Sequence, residues 1–417
     1  MKKSIILVVI IIAIGIACFW YFHVKSGQNT AQNSTSDAVK DSFDKTPLTL
    51  VPQNVSLQNG ISFTLQVAKG FTVTPAFEGL KRVRFMAKSP DERLFVTDMY
   101  DLSDNTKGKV YILDGWNPQT KKFTNITTYL ENLRNPNNVA FYTEGAKTWL
   151  YIALTDKLVR YQYKAGDDSP SQAPETLATF PDYGLSYKYG GWHLTRTVAF
   201  HNDKLYVSVG SSCDSCEEKL SEPMRASILE MNPDGSDSKV YANGLRNAVG
   251  IKWVGNDFFA TAMGSDKLGN DAPQDTFQYI TGGRNYGWPY CYEQDRQILE
   301  YNAQPWQQKN IECSTAPLSY EPLGAHSAPL GFDYFGNASD IALHNYFLVA
   351  LHGSSILSIG RGYQIARVQQ RFGPEPFITG FLQGNNRYGR PADVLFNGDN
   401  SFFFTDDFGG VIYYVFK

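Results

Sequence analysis

Three arginines stand ahead of comparable apolar segments: Arg196 before TVAF, Arg246 before NAVGI and Arg390 before PADVLF. A guanidinium fork pairs with a carboxylate through two parallel hydrogen bonds, so three of them at one place would receive an anion carrying several carboxylates. Taken singly, each could equally be a structural ion pair between neighbouring elements. His193 lies three residues before Arg196, in GGWHLTR. An imidazole of ordinary pKa, about 6.5, can take a proton at neutral pH, as a base must when an alcohol loses hydride. An isolated histidine is otherwise an ordinary hydrogen-bonded side chain, so the value of His193 depends on its standing beside the arginines.

What would bring them together is a repeat. Short strand-like runs begin at Leu94 (LFVTD), Leu150 (LYIAL), Leu205 (LYVSV), Phe258 (FFATA), Phe347 (FLVAL) and Phe402 (FFFTD), at separations of 56, 55, 53, 89 and 55 residues. A period near 55 residues suits a four-stranded propeller blade with generous loops, and the long interval marks an insertion. An Arg or Pro followed by an apolar strand start precedes most runs: Pro136 before NNVAF, Arg196, Arg246, Pro329 before LGF, and Arg390. These read as innermost strands entering around a central channel, with the arginines and His193 at one mouth. The expected fold is all-β, a six-bladed β-propeller over 55–417; a tandem of β-sandwiches would show shorter strand spacing.

The N-terminus differs in kind. Lys2 and Lys3 precede an uncharged apolar run from Ser4 to Phe22, long enough to cross a hydrocarbon core as a transmembrane helix. It is expected to be a signal anchor over 1–25, the alternative being a cleaved signal peptide. Residues 26–54, rich in Ser, Thr, Asn, Gln and Asp, read as a flexible polar linker. Positive charge before the run favours an inner-membrane anchor with the propeller in the periplasm or another extracytoplasmic space. Cys213, Cys216, Cys291 and Cys313 make an even count compatible with two disulfides there, paired 213 with 216 and 291 with 313. Covalent haem attachment would need a histidine after Cys216, where Glu217 stands, and no second close pair completes a zinc site. A net charge of −3, with no long basic run in the body, excludes an electrostatic footprint for nucleic acid.

The segments GGWHLTRTVAFHNDKLYVSVGSSCDSCEE, GLRNAVG, GGRNYGWPYCYE, GAHSAPLGFDYF, FLVALHGS and GRPADVLF, in that order, resemble signatures of the sorbosone/aldose branch of the soluble quinoprotein glucose dehydrogenases. The resemblance spans about residues 80–417. It implies oxidation of an aldose or related sugar at C1, with hydride passing to pyrroloquinoline quinone (PQQ) and then to an external quinone or cytochrome acceptor. By it, His193 matches the base, Arg246 and Asn247 match an Arg-Asn pair at the reactive carbonyl, and Arg196 and Arg390 join them around the cofactor. It also implies calcium, placed at the MGSDKLGNDAPQD loop with Gly264 and Ser265 as carbonyl donors and Asp266 and Asp271 as side-chain ligands.

Two stretches depart from the family pattern. Met263-Gly264-Ser265-Asp266 stands where many relatives carry NGRD, and His352-Gly353-Ser354-Ser355-Ile356 where they carry HGSWN. Those departures keep open an exported propeller that binds sugar or a protein partner without catalysis. A calcium-dependent hydrolase of the lactonase type is a further alternative, which would want acidic and amide side chains gathered around the ion.

Overall fold

The computed structural model describes residues 45, 47–182, 193–301 and 311–417. The expected transmembrane segment at 1–25 and most of the linker lie outside the described residues. Among those described, no helix is long and apolar enough to cross a membrane, and the secondary structure is strand apart from a 3-10 turn at Cys313–Thr315. The expected linker end at residue 54 falls inside a strand, Leu50–Ser56, so ordered structure begins earlier than composition suggested.

The described strands form six blades whose innermost strands, Val83–Lys88, Asn138–Glu144, Arg196–His201, Asn247–Val254, Pro329–Tyr334 and Pro391–Phe396, pack side by side in a closed ring. Each of the six apolar runs is the second strand of its blade. Such a strand is hydrogen-bonded on both edges and covered by neighbouring blades on both faces. Leu94–Asp98, Phe347–Leu351 and Phe402–Asp406 accordingly bury every residue. A strand with no wet face reads as a continuous apolar run rather than an alternation, which is why these runs stood out. The long fourth interval is filled by an extra hairpin, Cys291–Gln294 with Gln297–Glu300, before the blade's last strand, Glu321–Gly324.

Ring closure joins the two ends of the folded body. Thr72–Phe77 pairs with Val411–Phe416 and completes the sixth blade, whose other strands come from the C-terminus. A hairpin of Leu50–Ser56 and Ser62–Ala68 extends the outer edge of the fifth blade through Gln66 and Val67.

Between blades, a threonine hydroxyl repeatedly donates to a backbone carbonyl of the next. Thr97 reaches Asn137 O at 2.8 Å, Thr155 reaches Leu194 O at 2.9 Å, Thr197 reaches Val249 O at 2.5 Å, Thr261 reaches Leu330 O at 2.7 Å and Thr405 reaches Arg84 O at 2.7 Å. At the fifth-to-sixth junction an arginine makes the comparable link: Arg390 Nε donates to His352 O at 3.1 Å, and Nη2 to Gly353 O. Buried carbonyls otherwise cut off from water are thereby satisfied. Thr261 also accepts from Gly250 N at 2.9 Å, so one hydroxyl serves two backbone groups. Thr261→Val should therefore lower unfolding stability by about 1–3 kcal/mol in urea titrations without altering β content, since it strands buried polar groups. An unchanged midpoint would show that these hydroxyls do not hold the ring.

Candidate functional site

His193 enters the third blade just ahead of strand Arg196–His201, and Arg196 fixes its approach. The Arg196 side chain is fully buried, and Nη1 donates to His193 O at 2.7 Å and Thr195 O at 2.8 Å. Burial, with Arg225 nearby, brings this guanidinium down to about 9. Arg196 does not line the cleft that holds His193. The three-arginine mouth is thus a two-arginine mouth, with the third shaping the backbone behind the histidine.

The imidazole is set by Ser211. His193 Nδ1 lies 2.8 Å from Ser211 O, and a carbonyl can only accept, so Nδ1 carries hydrogen and Nε2 keeps its lone pair. Gly210 makes the close approach possible, because a Cβ there would stand 2.6 Å from both His193 Cβ and Asn247 Oδ1. Asn247 is buried, its Oδ1 has no hydrogen-bond partner among the described residues, and its Nδ2 faces Met263 Sδ at 3.5 Å. Burial holds His193 well below the ordinary histidine range, and the neighbouring Arg246 adds to that.

Arg246 is fastened by a residue that the sequence reading left without a role. Asp214, inside the Cys213–Cys216 loop, accepts Arg246 Nε on its backbone oxygen at 2.9 Å and Arg246 Nη2 on Oδ1 at 2.7 Å. The same backbone oxygen receives Ser265 Oγ at 3.1 Å and Trp288 Nε1 at 3.0 Å, while Oδ1 also receives Asp266 N at 2.7 Å. One aspartate therefore ties the third-blade loop, the arginine and the 263–266 loop together. Its only signal was position: an acidic residue between two closely spaced cysteines. Both expected disulfides are present, Cys213 to Cys216 and Cys291 to Cys313.

A cleft of about 930 Å³, including its open mouth, collects His193, Arg246, Met263, Gly264, Asp266, Asp275, His326, His352 and Arg390. Arg390 is held by the two carbonyls that close the fifth-to-sixth junction, and burial lowers it to about 10. Asp275 accepts from Gly264 N at 2.8 Å and Ala328 N at 2.7 Å, and burial pushes its carboxyl up to about 6. In both Arg246 and Arg390, Nη1 makes no hydrogen bond with a described residue, so each offers an N–H to an occupant. The residues present fit an anion with several carboxylates.

Of the expected calcium ligands, the side chains of Asp266 and Asp271 face different arginines. Gly264 and Asp266 line the cleft, but Asp266 Oδ2 faces Arg246 Nη2 at 3.2 Å. Ser265 is buried beneath, bonded to Asp214, and Asp271 pairs with Arg361 on an exposed loop. Among the described residues no group of three or more His, Cys, Asp or Glu is arranged to hold a metal ion.

Against this geometry, the family model described as TrAA12-like matches residues 65–417. The chain belongs to the TrAA12-like family. A protein from Borreliella burgdorferi, described only as uncharacterized, is 33% identical over 383 residues, covering 85% of this chain and 92% of that one. Solved propellers share the fold. The holo PQQ domain of pyranose dehydrogenase from Coprinopsis cinerea has a TM-score of 0.67 at 18% identity, covering 85% of this chain and 97% of that one. The PQQ-bound aldose sugar dehydrogenase of Streptomyces coelicolor has a TM-score of 0.57 at 20% identity, covering 84% and 99%.

Gly210→Ala should displace His193 and Asn247 together. The expected outcome is a loss of about 1–3 kcal/mol in urea unfolding, the usual range for overpacking, with a larger loss of ligand uptake than Ser208→Ala on the neighbouring strand. Equal uptake by the two variants would show that the close packing at Gly210 does not position the site.

Proposed function

We propose that the protein is a PQQ-dependent sugar dehydrogenase, oxidising an aldose or related sugar at C1. The observation that carries this reading is the cleft itself: two guanidiniums with N–H groups unengaged by any described residue stand beside a neutral imidazole whose Nε2 has no partner among the described residues. Arg246 and Arg390 would hold the cofactor's carboxylates, whereas Asn247 packs against Gly210 and does not line the cleft. When bound, PQQ supplies the electron sink that takes up hydride from the sugar carbon.

The chain's own residues manage the proton. His193 Nε2 removes hydrogen from the C1 hydroxyl as the carbon gives up hydride, leaving a C1 carbonyl, which in a cyclic aldose is the lactone. The imidazolium so formed keeps its Nδ1–H on Ser211 O, and this contact holds the ring in place through the transfer. A depressed pKa keeps His193 in its base form from neutral pH to below 6.5. The kcat/KM profile should therefore stay level through pH 6.5, and an acid limb centred there would show an unperturbed base.

An electron acceptor, quinone or cytochrome, would complete turnover. The two disulfides suit an oxidising compartment, which supports the reading of an extracytoplasmic propeller with an N-terminal membrane anchor at 1–25. The lactonase alternative would want acidic and amide side chains gathered at one place, and among the described residues no group of three or more His, Cys, Asp or Glu is so arranged.

Reconstitution tests the proposal directly. Full-length protein given PQQ, with and without calcium, should develop the bound-quinone spectrum and reduce a dye with aldoses. His193→Ala should keep bound PQQ and lose roughly two to four orders of magnitude in turnover, whereas Arg390→Ala should lose PQQ affinity first. Protein that takes up no PQQ under either condition excludes the dehydrogenase and favours a binding propeller.

A further inference from the structure

Three imidazoles line the cleft, and the catalytic reading uses one. His352 belongs to the wall made by the fifth and sixth blades, whereas His193 comes from the third. His352 is buried, with its Nε2 2.7 Å from Asp407 Oδ1. Asp407 is also bound by Arg84 Nη1 at 2.7 Å on Oδ2 and by Arg82 Nη1 at 3.3 Å on Oδ1. Burial alone would raise this carboxyl, but the His352 N–H and the two guanidiniums overrule it and hold it well below the carboxylate range. An ionised carboxylate only accepts, so the hydrogen of His352 sits on Nε2.

A second positive charge on this ring has little to support it. The charged groups facing it are Asp407 and Arg390 from the sixth blade and Arg84 from the first; Arg82 lies behind Asp407. Asp407 is already matched by two guanidiniums. Burial, then Arg390, bring His352 down to about 3. Its backbone is fixed too, since His352 N donates to Ala328 O at 3.0 Å and its carbonyl receives Arg390 Nε. His352 Nδ1 makes no hydrogen bond with any described residue. The two walls thus carry neutral imidazoles of opposite tautomer: His193 offers Nε2 and His352 offers Nδ1.

We propose that His352, oriented by Asp407, recognises the sugar by accepting a hydrogen bond on Nδ1 from a hydroxyl other than the one His193 deprotonates. The role rests on the sugar-oxidising reading and narrows its substrate class to polyhydroxylated sugars with a second hydroxyl facing the fifth- and sixth-blade wall. Asp407 is a positioning residue in this arrangement. A site that pairs a substrate hydroxyl penalises the analogue lacking it, because a buried acceptor is left without a donor.

Two measurements test it. In the full-length, cofactor-free protein labelled with nitrogen-15 histidine, His352 should show a protonated Nε2 and a pyridine-type Nδ1, and remain neutral at pH 5.5. In the PQQ-loaded protein, one member of a monodeoxy-aldose series should lose about tenfold in kcat/KM, through KM more than kcat, beyond its siblings. His352→Phe should lose a similar factor with the parent sugar and cease to distinguish that member. His352→Gln, whose amide oxygen can accept, should recover part of the distinction and stands in if the phenylalanine variant does not fold. A proton on Nδ1, a charged ring at pH 5.5, or undiminished discrimination in His352→Phe would overturn the proposal. If the wild type takes up no PQQ, or loads it and oxidises no sugar, both readings fall; if it oxidises sugars but the tautomer or the deoxy-sugar discrimination fails, the His352 role alone falls.

Discussion

Closure of the ring is the constraint on which everything else rests. Pairing Thr72–Phe77 with Val411–Phe416 brings the first and sixth blades into contact, and only then can Arg82 and Arg84 meet Asp407. Buried ion pairs stabilise little by themselves, because desolvation offsets much of the attraction. Their value here is geometric: Asp407, held from one side by the first blade, holds His352 of the fifth from the other. Opening the ring would part Asp407 from both guanidiniums and leave His352 as its remaining side-chain partner, so closure and site assembly stand or fall together.

The same economy appears at the opposite wall. Asp214 collects donors from three separate segments, and the short Cys213–Cys216 loop restricts where its carboxylate and carbonyl can lie. Arg246 is thereby aimed with two of its nitrogens spent and one left for an occupant. Arg390 is aimed in a comparable way by the His352 and Gly353 carbonyls. Both arginines are preorganised by neutral or paired contacts, which limits the side-chain entropy lost when an anion binds.

The buried acids near the cleft separate into two kinds. Asp275 accepts mainly from backbone N–H groups and Asp406 accepts them on Oδ1 alone, its Oδ2 having no partner among the described residues, and burial raises both to about 6. Asp407 is satisfied by cations and stays ionised. Backbone donors suffice to hold a loop, whereas at His352 it is the fixed negative charge of Asp407 that orders the tautomer.

Much of this molecule could be read from its residues before any coordinates. The six runs, their spacing and the segments ahead of them marked second and first strands, because a strand buried on both faces leaves an uninterrupted apolar signature. His193, Arg246 and Arg390 were legible as a set because their place in the repeat predicts one mouth. The cysteine pairs followed from count and spacing. What sequence could not decide was direction. Arg196 occupies the same repeat position as Arg246, yet its side chain turns under the blade to His193 O, while Asp266 and Asp271, five residues apart, face different arginines. Nor could Asp214 and Asp407 be seen, since their partners lie up to 325 residues away in the chain. Repeat position sets where a backbone enters the ring; where a buried side chain points is set by whichever partner can replace its lost water, and only the closed tertiary structure supplies those partners.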